Sequence, residues 1–290
     1  MRDDNGTLFE RWVAPVLQHF LLDRDALQAH QDSIDWESAL RHLTNPQVSY
    51  PRYYREFSCH GFVEGYLCPE AAVAYDAITQ YALPPNEDWV RQGVIDAIQG
   101  YPTRILDLGC GTGSTTCRLK EAFPNTEVVG LDLSPYMLVM AEQKALEADL
   151  NIHWRQGKAE QTDFPDNSFD VVTASLLLHE LPPAIAQAVL QEAHRLLRSG
   201  GEVIILDCNQ KALRQTPFLA NIFEEPLLRD YAAESLDAWL GSAQFGLVRT
   251  QDHWLVHQIS RGVKGVHHPN PEEPLFADLE ALEDLEWAVG

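Results

Sequence analysis

The stretch that decides the fold is "ILDLGCGTGSTT", residues 105–116, in which three glycines follow a short apolar run. Such a run predicts a buried strand, and the letters that follow it, "STTCRLKEAF", predict a helix. Glycines at this junction let the chain turn sharply and let a ligand approach the bare backbone. In an open parallel sheet ligands bind where the strands end, and the free N–H groups of the next helix face the same place. We therefore predict a small-molecule site in this loop.

Strands and helices alternate downstream of this loop. "EVVGLDL", "IHWRQGKAE", "FDVVTASLLL" and "EVIILDCN" are typical of strands. "SPYMLVMAEQKALEADL" predicts a helix with Ser134 as its N-cap and Pro135 at its first position. "PPAIAQAVLQEAHRLLRSGG" predicts a helix that ends at the glycine pair, and "GLVRTQDHW" and "WLVHQISRG" predict two further strands. This alternation indicates an α/β fold with a mostly parallel sheet and helices on both faces.

Three regions are expected along the chain. Residues 1–100 are mostly of helical pattern and predict an N-terminal extension or cap. Residues 101–265 form the predicted core, with a helical insertion at 211–239. Residues 266–290 form an acidic C-terminal tail without lysine or arginine.

Composition narrows the class of partner. The formal net charge of -22 argues against nucleic acid and anionic membrane surfaces, because phosphate binding depends on Lys and Arg. No apolar run approaches the ~20 residues that a membrane helix needs, and the acidic start "MRDDNGTLFE" does not resemble a signal peptide. The five cysteines form no CxxC pair, which favours a reduced, cytoplasmic protein. The oligomeric state is left open.

The residues around the glycines narrow the choice of ligand. Asp132 ends the next strand and is well placed to hold both hydroxyls of a ribose, in NAD or in another riboside. Dinucleotide enzymes carry G-x-G-x-x-G, but here the third glycine, Gly113, comes one residue early and Asp107 precedes the set. Because Asp132 would serve NAD as well, a nicotinamide-dependent oxidoreductase stays an alternative, although such an enzyme should have the later third glycine.

The arrangement "D-x-G-x-G-x-G" with a downstream acid resembles motif I of class I S-adenosylmethionine-dependent methyltransferases of the small-molecule type. "VVGLDLSPYMLVMAEQKA", "GKAEQTDFPDNSFDVVTASLLLHEL" and "EAHRLLRSGGEVIILD" resemble further conserved stretches of that family, so the likeness covers about residues 100–210. It implies a Rossmann-like, seven-stranded sheet, S-adenosylmethionine as the cofactor and S-adenosylhomocysteine as its product. The cationic sulfonium and ammonium of this donor suit acidic residues near the loop.

The resemblance also assigns donor-binding residues. Asp107 and the glycines are expected around the methionine portion, Asp132 at the ribose and Leu133 against the adenine. Lys158 stands where relatives usually have aspartate, and a lysine cannot accept a hydrogen bond from the adenine amino group. The Ala159 backbone or Glu160 is left for that contact. The whole set of expected donor-binding residues is Asp107, Gly109, Cys110, Gly111, Gly113, Asp132, Leu133, Lys158, Ala159, Glu160, Ser175 and Leu176.

The acceptor pocket is expected between the ends of the fourth and fifth strands, segment 50–70 and the insertion 211–239. These two covering segments are rich in aromatic residues, which indicates a small, largely apolar acceptor: Tyr53, Tyr54, Phe62, Tyr66, Phe218 and Phe223. In-line methyl transfer depends mainly on alignment, and a general base adds less. The candidate catalytic residues are His179, His60 and Tyr66.

We predict no metal. "HE" at 179–180 begins like the zinc motif HExxH, but Pro183 stands where the second histidine belongs. Asp207 and Asn209 resemble metal ligands of cation-dependent relatives, which also need an acid where this chain has Ser175. A non-catalytic regulator that binds S-adenosylmethionine remains a second alternative.

Overall fold

The computed structural model describes residues 23–55, 65–82, 85–216 and 227–265. The described part of the N-terminal region is helical, and the sheet begins after it. Asp23, Asp35 and Asn86 cap three of these helices by accepting hydrogen bonds from backbone N–H groups in the first turn. The helices before the sheet are α1 (Arg24–Ser33), α2 (Trp36–Leu43), α3 (Arg52–Arg55), α4 (Pro69–Ala82) and α5 (Glu87–Ala97).

Seven strands form one sheet in the order β3-β2-β1-β4-β5-β7-β6. β7 runs antiparallel to the other six strands, so the predicted mostly parallel seven-stranded sheet is confirmed. The strands are β1 (Arg104–Leu108), β2 (Glu127–Asp132), β3 (His153–Gln156), β4 (Phe169–Ser175), β5 (Leu197–Cys208), β6 (Phe245–His253) and β7 (His257–Lys264).

Helices follow β1, β2, β4 and β5, as the alternating pattern predicts. Ser134 caps α7 by accepting a hydrogen bond from the Met137 N–H at 3.3 Å, and Pro135 occupies its first turn. A 3₁₀ turn at Leu178–Glu180 follows β4. The remaining described helices are α6 (Ser114–Ala122), α7 (Pro135–Glu147), α8 (Pro183–Leu196), α9 (Gln210–Gln215), α10 (Leu228–Ala233) and α11 (Leu236–Ser242).

One helix ends earlier than the sequence predicts. The helix expected to continue to the glycine pair ends at Leu196, and β5 already begins at Leu197. The chain then lies close to β4, because a Cβ added at Gly201 would stand 2.9 Å from the carbonyl oxygen of Asp170. The glycine therefore marks a close approach of two strands rather than the end of a helix.

The two faces of the sheet pack against different helices. Alternation along β5 directs Val203 and Ile205 to one face and Ile204 and Leu206 to the other. The first face packs against α8, α10 and α11, and the second against α5. Burial on both faces explains why the central strands are almost continuously apolar.

The ends of β1, β2, β4 and β5 meet at one edge of the sheet, which we call the carboxyl edge. The glycine loop at 109–113 and the 3₁₀ turn both lie there, since each directly follows one of these strands. The N-terminal helix α4 contacts α7 and α5. Among the described residues, none of the helices combines the length and the apolar character required to cross a bilayer.

Candidate functional site

The three glycines of the loop all have positive φ, at +63°, +53° and +78° for Gly109, Gly111 and Gly113. A Cβ at Gly109 would lie 2.6 Å from the Leu177 side chain, and one at Gly113 would lie 2.8 Å from the ring of Trp154. These two glycines are therefore needed for packing as well as for the turn. Only Gly111 leaves open space, because the nearest atom to its added Cβ is 4.0 Å away.

That open space belongs to a cleft at the carboxyl edge, with about 650 Å³ not filled by protein atoms. The described residues that line it are Tyr53, Tyr54, Tyr66, Tyr75, Gly109, Gly111, Leu131, Asp132, Leu133, Met137, Gly157, Ala159, Glu160, Ser175, Leu176, Leu177, Glu180 and Leu181.

Asp132 stands at the end of β2 with both carboxylate oxygens held in place. One oxygen accepts from the Gly111 N–H at 2.8 Å, and the other from the Ser134 N–H at 2.8 Å. Burial raises the pKa of Asp132 to about 6, although these two backbone hydrogen bonds act to lower it. The carboxylate can therefore accept two ligand hydroxyls side by side without having to reorient.

Asp107 does not line the cleft. It is 1% exposed, and its two oxygens accept hydrogen bonds from Thr116 Oγ1 at 2.6 Å and Thr173 Oγ1 at 2.7 Å. Burial raises the pKa of this carboxyl. The side chain links β1 to α6 and β4 beneath the loop, where it supports the loop rather than faces a ligand.

The side chain of Cys110 is also buried beneath the loop, among α7 residues and Leu43. Its N–H donates to the Leu131 carbonyl at 3.0 Å, and its carbonyl accepts from the Gly113 N–H at 2.9 Å. Cys110 therefore shapes the loop, and its side chain does not line the cleft.

The segment after β3 forms another part of the cleft lining. Ala159 and Glu160 line it, and Glu160 accepts a hydrogen bond from the Tyr53 hydroxyl at 2.9 Å. Lys158 lies in a neighbouring cleft instead, with its Nζ 3.4 Å from Ser49 Oγ. The departure from the family pattern at Lys158 therefore faces away from the site.

The end of β4 contributes a hydroxyl without a partner. The Oγ of Ser175 is buried and makes no hydrogen bond among the described residues, and Ser175 lines the cleft. Leu176 has a positive φ of 58°, which is unusual for this residue type and is maintained by its N–H bond to the Leu206 carbonyl at 2.7 Å. A buried orphan hydroxyl beside a strained backbone is typical of a ligand site.

The candidate catalytic residue His179 lies away from the cleft. His179 is 4% exposed and does not line the cleft, and its Nδ1 lies 2.5 Å from an oxygen of Asp207. The other Asp207 oxygen accepts from the Leu178 N–H at 2.9 Å, so this pair anchors the 3₁₀ turn to β5. His60 lies outside the described residues, as do Phe62, Phe218, Phe223 and the acidic tail.

Tyr66, the third catalytic candidate, does line the cleft and donates its hydroxyl to Glu180 at 2.8 Å. Glu180 was not predicted as a site residue from the sequence, where it was named only in excluding the zinc motif HExxH. Tyr75, which lies across from Gly111, was not predicted either. The available signal was the position of Glu180 directly after a strand that ends at the site.

A cluster of His179, Asp207 and Cys208 brings one ligand atom from each residue within 4.8 Å of the others. The Asp207 oxygens are already engaged by His179 and by the N–H groups of Leu178 and Cys208. We interpret the cluster as a hydrogen-bonded anchor, and the absence of a metal stays a prediction.

The chain is similar in sequence to known methyltransferases. Residues 105–201 match the family described as "Methyltransferase domain". The curated demethylmenaquinone methyltransferase of Thermus thermophilus is 35% identical over 139 residues, which cover 48% of this chain and 62% of that protein. That of Geobacillus kaustophilus is 39% identical over 144 residues, 47% of this chain and 61% of that protein. The chain thus spans about three fifths of the length of these relatives.

A solved structure supports the fold. A putative O-methyltransferase of Nostoc punctiforme has a TM-score of 0.56 and 19% identity, covering 82% of this chain and 69% of that one. At this identity the likeness concerns the fold alone. By sequence, residues 105–201 thus match a methyltransferase domain, and the strand order and the glycine loop give this part of the chain a Rossmann-like fold.

Proposed function

We propose that this protein transfers the methyl group of S-adenosylmethionine to a small, uncharged and largely apolar molecule. The observation that carries the proposal is the charge pattern of the cleft. Three carboxyl groups line it, those of Asp132, Glu160 and Glu180, and no lysine or arginine does so in the part of the chain that the structure describes. A ligand with a sulfonium and an ammonium group is attracted to such a site, whereas a phosphate or carboxylate is repelled.

The proposed donor position follows the loop and the two strand ends. Gly111 admits the ligand to the backbone, and Asp132 accepts from both ribose hydroxyls. Leu133 and Ala159 are proposed to enclose the adenine, since both line the cleft beyond Asp132. The orphan hydroxyl of Ser175 is available to the methionine portion. Asp107, Cys110 and Lys158 are left out of direct contact.

The remaining lining residues indicate which class of acceptor the cleft accommodates. Four tyrosines and apolar side chains such as Met137, Leu177 and Leu181 surround the remaining space. Charged acceptors would lose hydration there without a cationic partner, which is costly. The curated relatives are named demethylmenaquinone methyltransferases, which is consistent with an apolar acceptor for this chain also.

The reaction needs little from the protein beyond alignment. The donor supplies a methyl group already activated by the positive sulfur. The cleft excludes water and holds the acceptor in line with the breaking bond, and such alignment is worth about 7–11 kcal/mol of the barrier. The tyrosine side chains of the N-terminal region, Tyr53 and Tyr66, contribute part of this enclosure.

A nicotinamide cofactor fits the described cleft poorly. Asp132 could hold its ribose, but a pyrophosphate would meet Glu180 and Glu160 without a cation among the described lining residues. We therefore expect calorimetry to detect binding of S-adenosylmethionine and S-adenosylhomocysteine and none of NAD. Transfer is then tested with methyl-labelled donor and reduced demethylmenaquinone, and with a metabolite extract as a broader source of acceptors. Tight NAD binding without a response to the other two ligands would refute the proposal.

Donor affinity is expected to fall as the pH drops below about 6. Burial raises the pKa of Asp132 to about 6, so the ligand-free protein carries a protonated Asp132 in more acidic solution. Ribose hydroxyls bind the ionised form more strongly, so binding competes with protonation and affinity falls about tenfold for each pH unit below that pKa. Calorimetry from neutral to acidic pH measures this slope. The Asp132→Asn variant should bind weakly at every pH and lack the slope, and an equal slope in that variant would contradict the assignment.

A further inference from the structure

The cleft contains two pairs in which a tyrosine donates its hydroxyl to a glutamate. Tyr53 donates to Glu160 at 2.9 Å near the proposed adenine end. Tyr66 donates to Glu180 at 2.8 Å beside the end of β4. The pairs have the same chemistry but occupy different ends of the site, so one can serve as the control for the other.

The Tyr66–Glu180 pair lies at the end of the cleft where the methyl group is expected. Glu180 follows Ser175 and Leu176, which line the cleft at the end of β4. Tyr66, which donates to Glu180, packs edge to face on Tyr75 with ring centroids 5.8 Å apart, so Glu180 lies near Tyr75. Tyr75 faces Gly111, and Asp132 accepts from the Gly111 N–H. Glu180 is therefore close to the glycine loop, where the ribose and the methionine portion of the donor meet.

The position of Glu180 is rigidly supported. Its N–H donates to the Leu177 carbonyl at 3.1 Å within the turn. The preceding Leu178 N–H donates to Asp207, which also holds His179 at 2.5 Å. Asp207 is fully buried at the end of β5. The buried histidine thus positions the turn that carries the glutamate, which is the arrangement expected for a preorganised functional group.

We propose that Glu180, in contact with Tyr66, accepts the proton of an aromatic hydroxyl on the methyl acceptor, and that His179 only positions it. This inference rests on the proposed methyltransferase function and specifies its acceptor class and its base. An aromatic ring suits the space because the rings of Tyr66 and Tyr75 pack edge to face there, with centroids 5.8 Å apart.

The proposed reaction joins one methyl transfer to one proton transfer. The acceptor oxygen forms a bond to the methyl carbon while the carbon–sulfur bond breaks, and the electron pair of that bond stays on sulfur. The hydroxyl proton passes to the Glu180 carboxylate, either directly or by way of Tyr66, which gives its own proton to Glu180 and takes the one from the acceptor. The products are the methylated acceptor, a neutral thioether and a protonated glutamate, which then releases its proton to water.

The test compares two probe acceptors that differ in the acidity of the hydroxyl. Naphthol is protonated at neutral pH and needs a base, whereas a nitro-substituted naphthol is largely ionised and does not. The acidic cleft should bind this anion more weakly, with a higher KM, so kcat is compared at saturating concentrations of each probe. We expect Glu180→Gln to lower kcat for naphthol by about 10²–10⁴-fold, and for the nitro compound by less than about tenfold. Tyr66→Phe should show the same selectivity with a smaller loss, and provides a second variant if Glu180→Gln does not fold.

The matched control is Glu160→Gln with Tyr53→Phe, the same changes in the other pair. These variants should weaken donor binding by calorimetry and affect both probes equally. The inference is wrong if Glu180→Gln loses both probes equally, or if wild-type protein that binds S-adenosylmethionine methylates neither probe. Failure of wild type to bind S-adenosylmethionine would instead refute the proposed function, so the two failures are distinguishable.

Discussion

Replacement of Asp132 by alanine is expected to weaken binding of S-adenosylmethionine by about 30- to 1,000-fold, or roughly 2–4 kcal/mol. Asp132 is the charged acceptor that the described end of β2 offers to both ribose hydroxyls, and hydrogen bonds to a charged group are the stronger kind. The same substitution removes the oxygen that holds the Gly111 N–H at 2.8 Å, so the loop also loses its anchor. Isothermal calorimetry measures the change directly.

The control for this variant is Asp163→Ala. Asp163 lines the neighbouring cleft that also contains Lys158 and not the donor cleft, so this variant should bind the donor as wild type does. Thermal unfolding without ligand separates loss of affinity from loss of fold. A donor affinity within about twofold of wild type in Asp132→Ala would show that the ribose does not lie at the end of β2.

The second large effect is expected at the glycine loop, where the same substitution should reduce stability at one position and donor binding at another. Gly113→Val is expected to destabilise the fold by about 2–5 kcal/mol, because strain at positive φ adds to overpacking. A Cβ there would already lie 2.8 Å from the Trp154 ring and 3.0 Å from the Ala141 Cβ. Gly111→Val pays a similar backbone strain, but its Cβ meets nothing closer than 4.0 Å. It should therefore keep more of the stability and lose donor binding instead.

Chemical denaturation gives the stability of each variant, and calorimetry gives the donor affinity of those that fold. Because both positions have positive φ, the difference between the two variants reports the crowding and not the backbone strain. Equal stability of the two variants, or unchanged donor affinity in Gly111→Val, would contradict this division between a packing glycine and a ligand-facing glycine.

Much of the architecture could be predicted from local patterns. A buried parallel strand must be apolar, and a helix is favoured where a capping residue precedes a proline. A chain that alternates strands and helices can bury both only as a sheet covered by helices. The strand that ends at Leu108 and the helix capped by Ser134 follow from such rules. The helix predicted to reach Gly201 was too long, because the approach of β5 to Asp170 is a contact between distant segments.

Some residues of the candidate site could likewise be predicted from the sequence, and others could not. Gly111 and Asp132 could be named from the sequence, since a loop and a strand end must meet at the carboxyl edge whatever the remaining packing is. The sequence motif treats Asp107 and Lys158 as equal members of the site. Their side chains turn elsewhere, Asp107 to Thr116 and Thr173 beneath the loop and Lys158 to the neighbouring cleft.

The sequence by itself thus determined the kind of sheet, the glycine loop and the acid that follows the second strand, because these depend on periodicity and on the backbone. Only the tertiary structure decided which side chains line the cleft. His179 and Glu180 are neighbours in a single 3₁₀ turn, yet the first is buried against Asp207 and the second lines the cleft with Tyr66. The physical reason is that the direction of a side chain in a short turn is set by distant partners, here β5 and the N-terminal region, which no local pattern records.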